Sequence, residues 1–207
     1  FRQTLQLNAR LDVQQAELAS LRHRQDKLEE RSRTDTLTGL ANRSWLEEQM
    51  QKRFVLCQEQ ARIMSVVFID LDHFKKLNDQ YGHQMGDQVL EKFGKTLQAL
   101  IREGDLAGRW GGEEFLIILP DENANAAHVF ARRIIQRLEK TPMASDGQYP
   151  IHVSVSIGIA CSDDGGFASA DELIDAADKC MYFIKRTGRG GIAVYGERSP
   201  PMTPIYD

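Results

Sequence analysis

Two glycines and two acids stand together at Gly111-Gly112-Glu113-Glu114, directly ahead of the apolar run Phe115-Leu116-Ile117-Ile118-Leu119. That order reads as the tip of a β-hairpin. Glycines at such a tip let the backbone take positive φ and come close to a bound group, and consecutive residues at the start of a strand point to opposite faces. One carboxylate can then enter a site while its neighbour supports it. Another acid, Asp70, closes the run Ile63-Met64-Ser65-Val66-Val67-Phe68-Ile69, which has the near-continuous apolar character of a strand buried on both faces. Carboxylates brought together from neighbouring strands repel unless a cation sits between them. Hard oxygen donors without a His or Cys cluster favour Mg²⁺, which keeps waters and completes its shell from substrate phosphates. Lys185-Arg186-Thr187-Gly188-Arg189 supplies cations that can satisfy helix C-terminal carbonyls or neutralise phosphate. Asn78 and Asp87 lie among glycines; the Asn amide supplies mixed donor and acceptor capacity, and the Asp carboxylate can accept from the adjacent N1 and N2 donors of guanine. Each of these residues taken singly also has a plain structural role as a turn former, a solvated acid or a helix-end cation.

The elements that must position them follow from periodicity. A helix over about Ser44 to Glu59 leads into the buried strand ending at Asp70. Val89, Leu90, Phe93, Leu97, Leu100 and Ile101 form a helical stripe closed by Arg102-Glu103-Gly104-Asp105. Leu106 to Trp110 and Phe115 to Leu119 are the hairpin arms. Ala127, Phe130, Ala131, Ile134 and Leu138 mark another helix, and Ile151, Val153, Val155, Ile157 and Ile159 alternate as a strand with one face buried. Leu173, Ile174, Ala177, Met181 and Ile184 give the last core helix, before a short strand from Ile192 to Tyr195. Strand, helix, hairpin, helix, strand, helix, strand predicts an α+β fold, an antiparallel-rich sheet with helices on one face.

Ahead of this, Leu7, Leu11, Leu18, Leu21 and Leu28 keep an alternating spacing of four and three, with Thr4, Gln14 and Gln25 at other seam positions. The spacing predicts a coiled coil over residues 1–34, a dimerising stalk of roughly 45 Å if continuous. A domain over residues 35–197 and a flexible tail over 198–207, rich in proline, complete the expected organisation. A chain opening at Phe1 is expected to be a piece of something longer.

Composition excludes several classes. The 207 residues carry 26 basic and 30 acidic side chains, a net charge of −4 with no long block of either sign, so there is no footprint for gripping a nucleic-acid polymer. Cys57, Cys161 and Cys180 have no metal-type spacing and fit a reducing compartment. No apolar run approaches the roughly 20 residues of a membrane helix. The expected location is cytoplasmic, either free or as the cytoplasmic part of a membrane-anchored sensor.

Asp70-Leu71-Asp72-His73-Phe74-Lys75, Asn78-Asp79, Gly82-His83, Gly86-Asp87, Gly111-Gly112-Glu113-Glu114-Phe115 and Lys185-x-x-Gly188-Arg189 together resemble the GGDEF family of diguanylate cyclases. The joint Asp35-x-Leu37-Thr38-Gly39-Leu40-x-Asn42-Arg43 resembles that family's entrance, and the likeness runs from about Asp35 to Tyr195. It implies a palm-like nucleotidyl-cyclase fold with a ferredoxin-like core, in which each domain holds one GTP and two domains close cyclic di-GMP. Asp70, Glu113 and the Leu71 carbonyl would hold Mg²⁺ or Mn²⁺, with Glu113 or Glu114 as general base. Asn78 and Asp87 would read guanine. Phe74, Lys75, Lys185 and Arg189 would hold phosphates, and Gly111 and Gly112 would let the α-phosphate approach. Arg102 and Asp105, six residues or more ahead of the glycines, resemble the family's product-inhibition site, with Arg133 as a further contact. The implied partners are GTP, cyclic di-GMP, a second copy through the coiled coil, and a sensory domain upstream. A catalytically silent GTP or cyclic di-GMP binding module is the alternative; an adenylyl-type cyclase is disfavoured by Asn78 and Asp87.

Overall fold

The structure is a computed structural model, and it describes residues 33–163 and 166–196. The stalk expected ahead of Arg33 and the tail expected from 198 lie outside the described residues. Every element below belongs to the unit that begins at Asp35.

Helix α1 (Arg43–Glu59) starts where the Asn42 side chain accepts from Trp45 N at 3.0 Å. It buries Leu46, Met50, Phe54 and Cys57, a stripe of one residue per turn. Strand β1 (Met64–Leu71) is buried along its whole length. Helices α2 (Phe74–Tyr81) and α3 (His83–Leu100) follow, separated by Gly82, then β2 (Leu106–Gly111) and β3 (Glu114–Pro120) form the hairpin. Helix α4 (Ala124–Lys140) is capped by Asn123. The two-residue strands β4 (Ala144–Ser145) and β5 (Pro150–Ile151) pair only with each other. Strand β6 (Val155–Cys161), helix α5 (Ala170–Thr187) and strand β7 (Ile192–Val194) complete the chain. At the start of α5 the Ser169 hydroxyl accepts from Glu172 N while the Glu172 carboxylate accepts from Ala168 N, a reciprocal cap.

Among the described residues the main sheet has five strands in the order β2-β3-β1-β6-β7, antiparallel except for the β6–β7 pair. This is the α+β, antiparallel-rich architecture expected. The helices, however, cover both faces rather than one. Val67, Ile69 and Leu71 of β1 meet α3 and α4, whereas Met64, Val66 and Phe68 meet α1 and α5. A central strand apolar on both sides requires two covering layers, which is why β1 lacks alternation. The strand expected to run from Ile151 to Ile159 is also corrected. Residues 152–154 leave the sheet, and β6 is buried on both faces, because its alternate residues Ser156, Gly158 and Ala160 are small enough to seat a helix rather than polar enough to face water. Helix α2, in a stretch to which sequence reading assigns no element, is a further addition. No described helix is long and apolar enough to cross a membrane.

Helix α5 rests directly on β6 at Gly158, where an added Cβ would lie 1.9 Å from the Ala177 carbonyl oxygen and 2.3 Å from Met181 N. Both neighbours are backbone and cannot turn aside. Gly158→Ala is therefore expected to lower unfolding free energy by about 2 kcal/mol or more, in the range of core overpacking. Urea unfolding checks this, and a loss below about 0.5 kcal/mol would contradict the close seat.

Candidate active site

Strand register builds the first half of the site. Asp70 pairs with Glu114 across β1 and β3, and with Ser156 across β1 and β6. Directly paired residues share a face, so the carboxylate opposite Asp70 is that of Glu114, while Glu113 occupies the turn. The Leu71 N–H donates to the Glu113 carbonyl at 3.2 Å, tying the turn to the end of β1. Helix α5, seated by Gly158, then brings Lys185 Nζ to 2.5 Å from the Asp70 carboxylate.

Asp70 is only 3% exposed. Burial pushes its pKa up, Lys185 pulls it back down, and the charges of Glu113 and Glu114 add to the rise, leaving it at about 6. Glu114 is raised too, by burial first, with Lys185 opposing and Asp178 and Glu113 reinforcing. A half-buried carboxylate on α5, Asp178, thus joins the acids around Lys185. These are the electrostatics of a site short of positive charge.

The donor set suits a hard divalent cation: carboxylates backed by a backbone carbonyl, with no sulfur or imidazole. Among the described residues no group of three or more His, Cys, Asp or Glu converges into a ready cage.

A second group of site residues comes from α2 and α3. The Asn78 Oδ1 is buried without a hydrogen-bond partner, and a Cβ at Gly86 would lie 1.9 Å from it and 3.1 Å from Phe74 Cζ. Glycine at 86 lets the Asn78 carboxamide oxygen lie against the α3 backbone, in the space that a side chain at 86 would fill. A buried acceptor left unmatched is costly, and Asn78 Oδ1 is such an acceptor. Phe74 is buried and Lys75 exposed on the first turn of α2, Asp87 is exposed on α3, and Arg189 is exposed just past the end of α5.

The structure thus brings Asp70, Glu113, Glu114 and Lys185 together, and groups Phe74, Asn78 and Gly86. Arg102 meets Asp105 at 3.3 Å, Glu122 at 2.6 Å and the Pro120 carbonyl at 3.2 Å. Arg133 is exposed on α4.

Sequence reading passed over Asp72, which is buried and accepts from Ser154 Oγ at 2.8 Å, Ser156 Oγ at 2.6 Å and Gly190 N at 3.0 Å. This latch ties the loop after α5 to the end of β1. Its sequence signal was its place in the Asp70–Lys75 motif, two residues past Asp70.

The family model for the diguanylate cyclase GGDEF domain matches residues 32–191. The chain belongs to the GGDEF family. Diguanylate cyclase VdcA of Vibrio cholerae is 34% identical over 188 residues, which cover 90% of this chain and 54% of that protein. The chain therefore spans about half the length of that relative. In structure this GGDEF domain is similar to the coiled coil and GGDEF domain of DgcB from Caulobacter crescentus, solved in complex with c-di-GMP. The two share 28% identity and a TM-score of 0.83, with 91% of this chain and 98% of that one covered. It is also similar to the active GGEEF domain of a Vibrio cholerae diguanylate cyclase, at 31% identity and TM-score 0.71, covering 77% of this chain and 99% of that one.

The raised pKa of Asp70 has a sign that can be measured. Its folded value lies above the ordinary carboxylate value of 3.8, so between there and about 6 the folded domain holds more protons than the unfolded chain. Stability of metal-free protein therefore falls as pH rises through that window. Asp70→Asn is expected to be more stable than the parent by about 2–3 kcal/mol at pH 8, with the gap closing near pH 4. Urea unfolding in chelator measures both, and a gap independent of pH would contradict the buried-charge account.

Proposed function

We propose that this domain is a diguanylate cyclase that condenses two GTP into cyclic di-GMP with release of two pyrophosphates. The observation that carries the reading is the buried Asp70 carboxylate, paired across the strands with Glu114, within the field of Glu113 and balanced by Lys185. A domain that only bound nucleotide would have no use for so costly a cluster of acids. The comparisons support the reading, since VdcA is a diguanylate cyclase and the Vibrio GGEEF domain, with the same Glu at the variable position, is an active one.

Asp70, Glu113 and the Leu71 carbonyl are the residues that would hold Mg²⁺ or Mn²⁺. Such an ion, when bound, lowers the barrier to deprotonating a hydroxyl and neutralises departing phosphate oxygens. The protein's own contribution is positioning and charge. The Asn78 carboxamide reads the guanine edge, with Asp87 accepting from the neighbouring donors of the base. The backbone N–H groups of Phe74 and Lys75, at the first turn of α2, are unmatched within the helix and face phosphate. Lys185 and Arg189 neutralise the remaining phosphate charge, Lys185 by leaving the Asp70 carboxylate. Gly111 and Gly112, without side chains, leave room for the α-phosphate. Glu113 or Glu114 takes the proton of the attacking 3′-hydroxyl.

One such site holds one GTP, so the 3′-hydroxyl of a second must come from a facing copy. The coiled coil read from residues 1–34 is the element that would pair two domains. The DgcB structure, which contains a coiled coil with its GGDEF domain, supports that arrangement. A sensory domain upstream would act through the same segment.

Incubation with GTP and Mg²⁺ should yield cyclic di-GMP and pyrophosphate, with no cyclic product from ATP. Asp70→Ala and Glu113→Ala should each lower the rate by at least about 100-fold, as expected for loss of an electrostatic group in the site. Chromatography of the products decides. Unchanged turnover in either variant would sink the assignment, and retained GTP binding without product would leave the silent binding module.

Arg102 and Asp105, with Arg133, form the proposed product-inhibition site. In the described structure Arg102 is engaged by Asp105 and Glu122, so a bound cyclic dinucleotide would compete with Glu122 for the guanidinium. Arg102→Ala is expected to need at least about tenfold more added cyclic di-GMP for half inhibition, the loss of a charged contact of about 1.4 kcal/mol. Equal inhibition of both proteins would place the inhibitory site elsewhere.

A further inference from the structure

The hairpin tip is held from two sides by the segment that opens the domain. On one side Arg109 donates from Nε and Nη2 to the Gly112 carbonyl, at 2.9 and 2.7 Å. The other edge of the same guanidinium reaches Asp35, with Nη1 3.3 Å from Oδ2 and 3.5 Å from Oδ1. Asp35 is itself fixed, its Oδ1 accepting from Thr38 N at 2.9 Å and Thr38 Oγ1 at 2.7 Å. On the other side Trp110 lies beneath the Arg43 guanidinium, 4.6 Å from its ring centroid, and against the edge of Phe68. Asp35 and Arg43 are the two ends of one nine-residue joint. Between them Ala41 joins β2, donating to the Ala107 carbonyl and accepting from Arg109 N, and Gly108 leaves room for the Ala41 carbonyl.

We propose that Arg109 is a positioning residue for the catalytic hairpin, tying the Gly112 carbonyl to the Asp35 carboxylate so that the segment Asp35–Arg43 sets where the tip sits. This rests on the cyclase reading for its kinetic consequence but not for its structural one. A glycine tip has little of its own to fix it. The pairing of β2 with β3 is already irregular between Arg109 and Gly111. Holding the Gly112 carbonyl fixes the peptide plane that it shares with Glu113, and with it the direction in which Glu113 leaves the turn. The task needs a planar fork, one edge for each partner, which a lysine's single ammonium lacks. Burial alone would raise the Asp35 pKa, yet bonds from Thr38 and the charge of Arg109 hold it below the usual carboxylate value. The anion is thus in place at neutral pH.

The test uses the full chain with Arg109→Lys, Asp35→Asn and the double variant. Without nucleotide, amide hydrogen exchange at residues 111–114 should quicken by at least about tenfold in each single variant, while β1 and β6 are unaffected. With GTP and Mg²⁺, kcat should fall roughly 10- to 100-fold while KM stays within about threefold, as for a misplaced group rather than a lost binding contact. The double variant should be no worse than the poorer single one, because both substitutions break one linkage. Unchanged exchange at the tip, equal acceleration in β1, unchanged kcat beside a loosened tip, or multiplying losses in the double variant would each overturn the proposal. If the parent makes no cyclic di-GMP, the cyclase reading fails, and the exchange data alone then decide whether Arg109 sets the tip.

Discussion

A carboxylate with almost no access to water governs this molecule. Asp70 ends a strand covered on both faces, and burying its charge is tolerable only beside a compensating cation. Lys185 is that cation, and it comes from the far end of the chain. Its arrival depends on how closely α5 can lie on β6, which Gly158 permits. The order of strands follows the same need, since only a central strand flanked by β3 and β6 can set Asp70 beside Glu114 on one side and Ser156 on the other.

Asp72 turns that local balance into a fixed geometry. By accepting from two serines of the β6 edge and from Gly190 N, it binds the loop after α5 to the end of β1. Lys185 and Arg189 lie on either side of the α5 terminus, so their distance from Asp70 is set from both directions. The two acids separated by one residue therefore divide their labour. Asp72 has both carboxylate oxygens answered by protein donors, whereas Asp70 has one cation that can also go elsewhere.

Most of the sheet was legible because long apolar runs such as residues 63–69 and 115–119 leave few other outcomes. What misled was the meaning of small residues. Ser156, Gly158 and Ala160 look like the open side of a half-buried strand, but in a strand overlain by a helix they are what close packing requires. Periodicity records polarity and cannot distinguish a small residue under a helix from one under water. Helix α2 was missed for a related reason: eight residues with Phe74 as their one buried side chain leave almost no stripe to read. At the site, Asp70 and the glycine–glutamate tip were visible as types at suggestive places. Their pairing was not, because the register that makes Glu114 rather than Glu113 the partner of Asp70 depends on a turn whose bulge has no sequence marker.

The tip also shows why a short signature carries little meaning alone. Gly111 and Gly112 give freedom, and freedom is useful for chemistry only when something else removes it. Phe68 on β1, Arg43 on α1 and Asp35 at the joint all bear on the residues just ahead of the glycines. None of these belongs to the signature, and two of them lie at opposite ends of the segment through which any upstream helix must enter the domain. A signal arriving along such a helix would need no separate conduit to the acids. It would meet them through the same contacts that keep a flexible turn in one place.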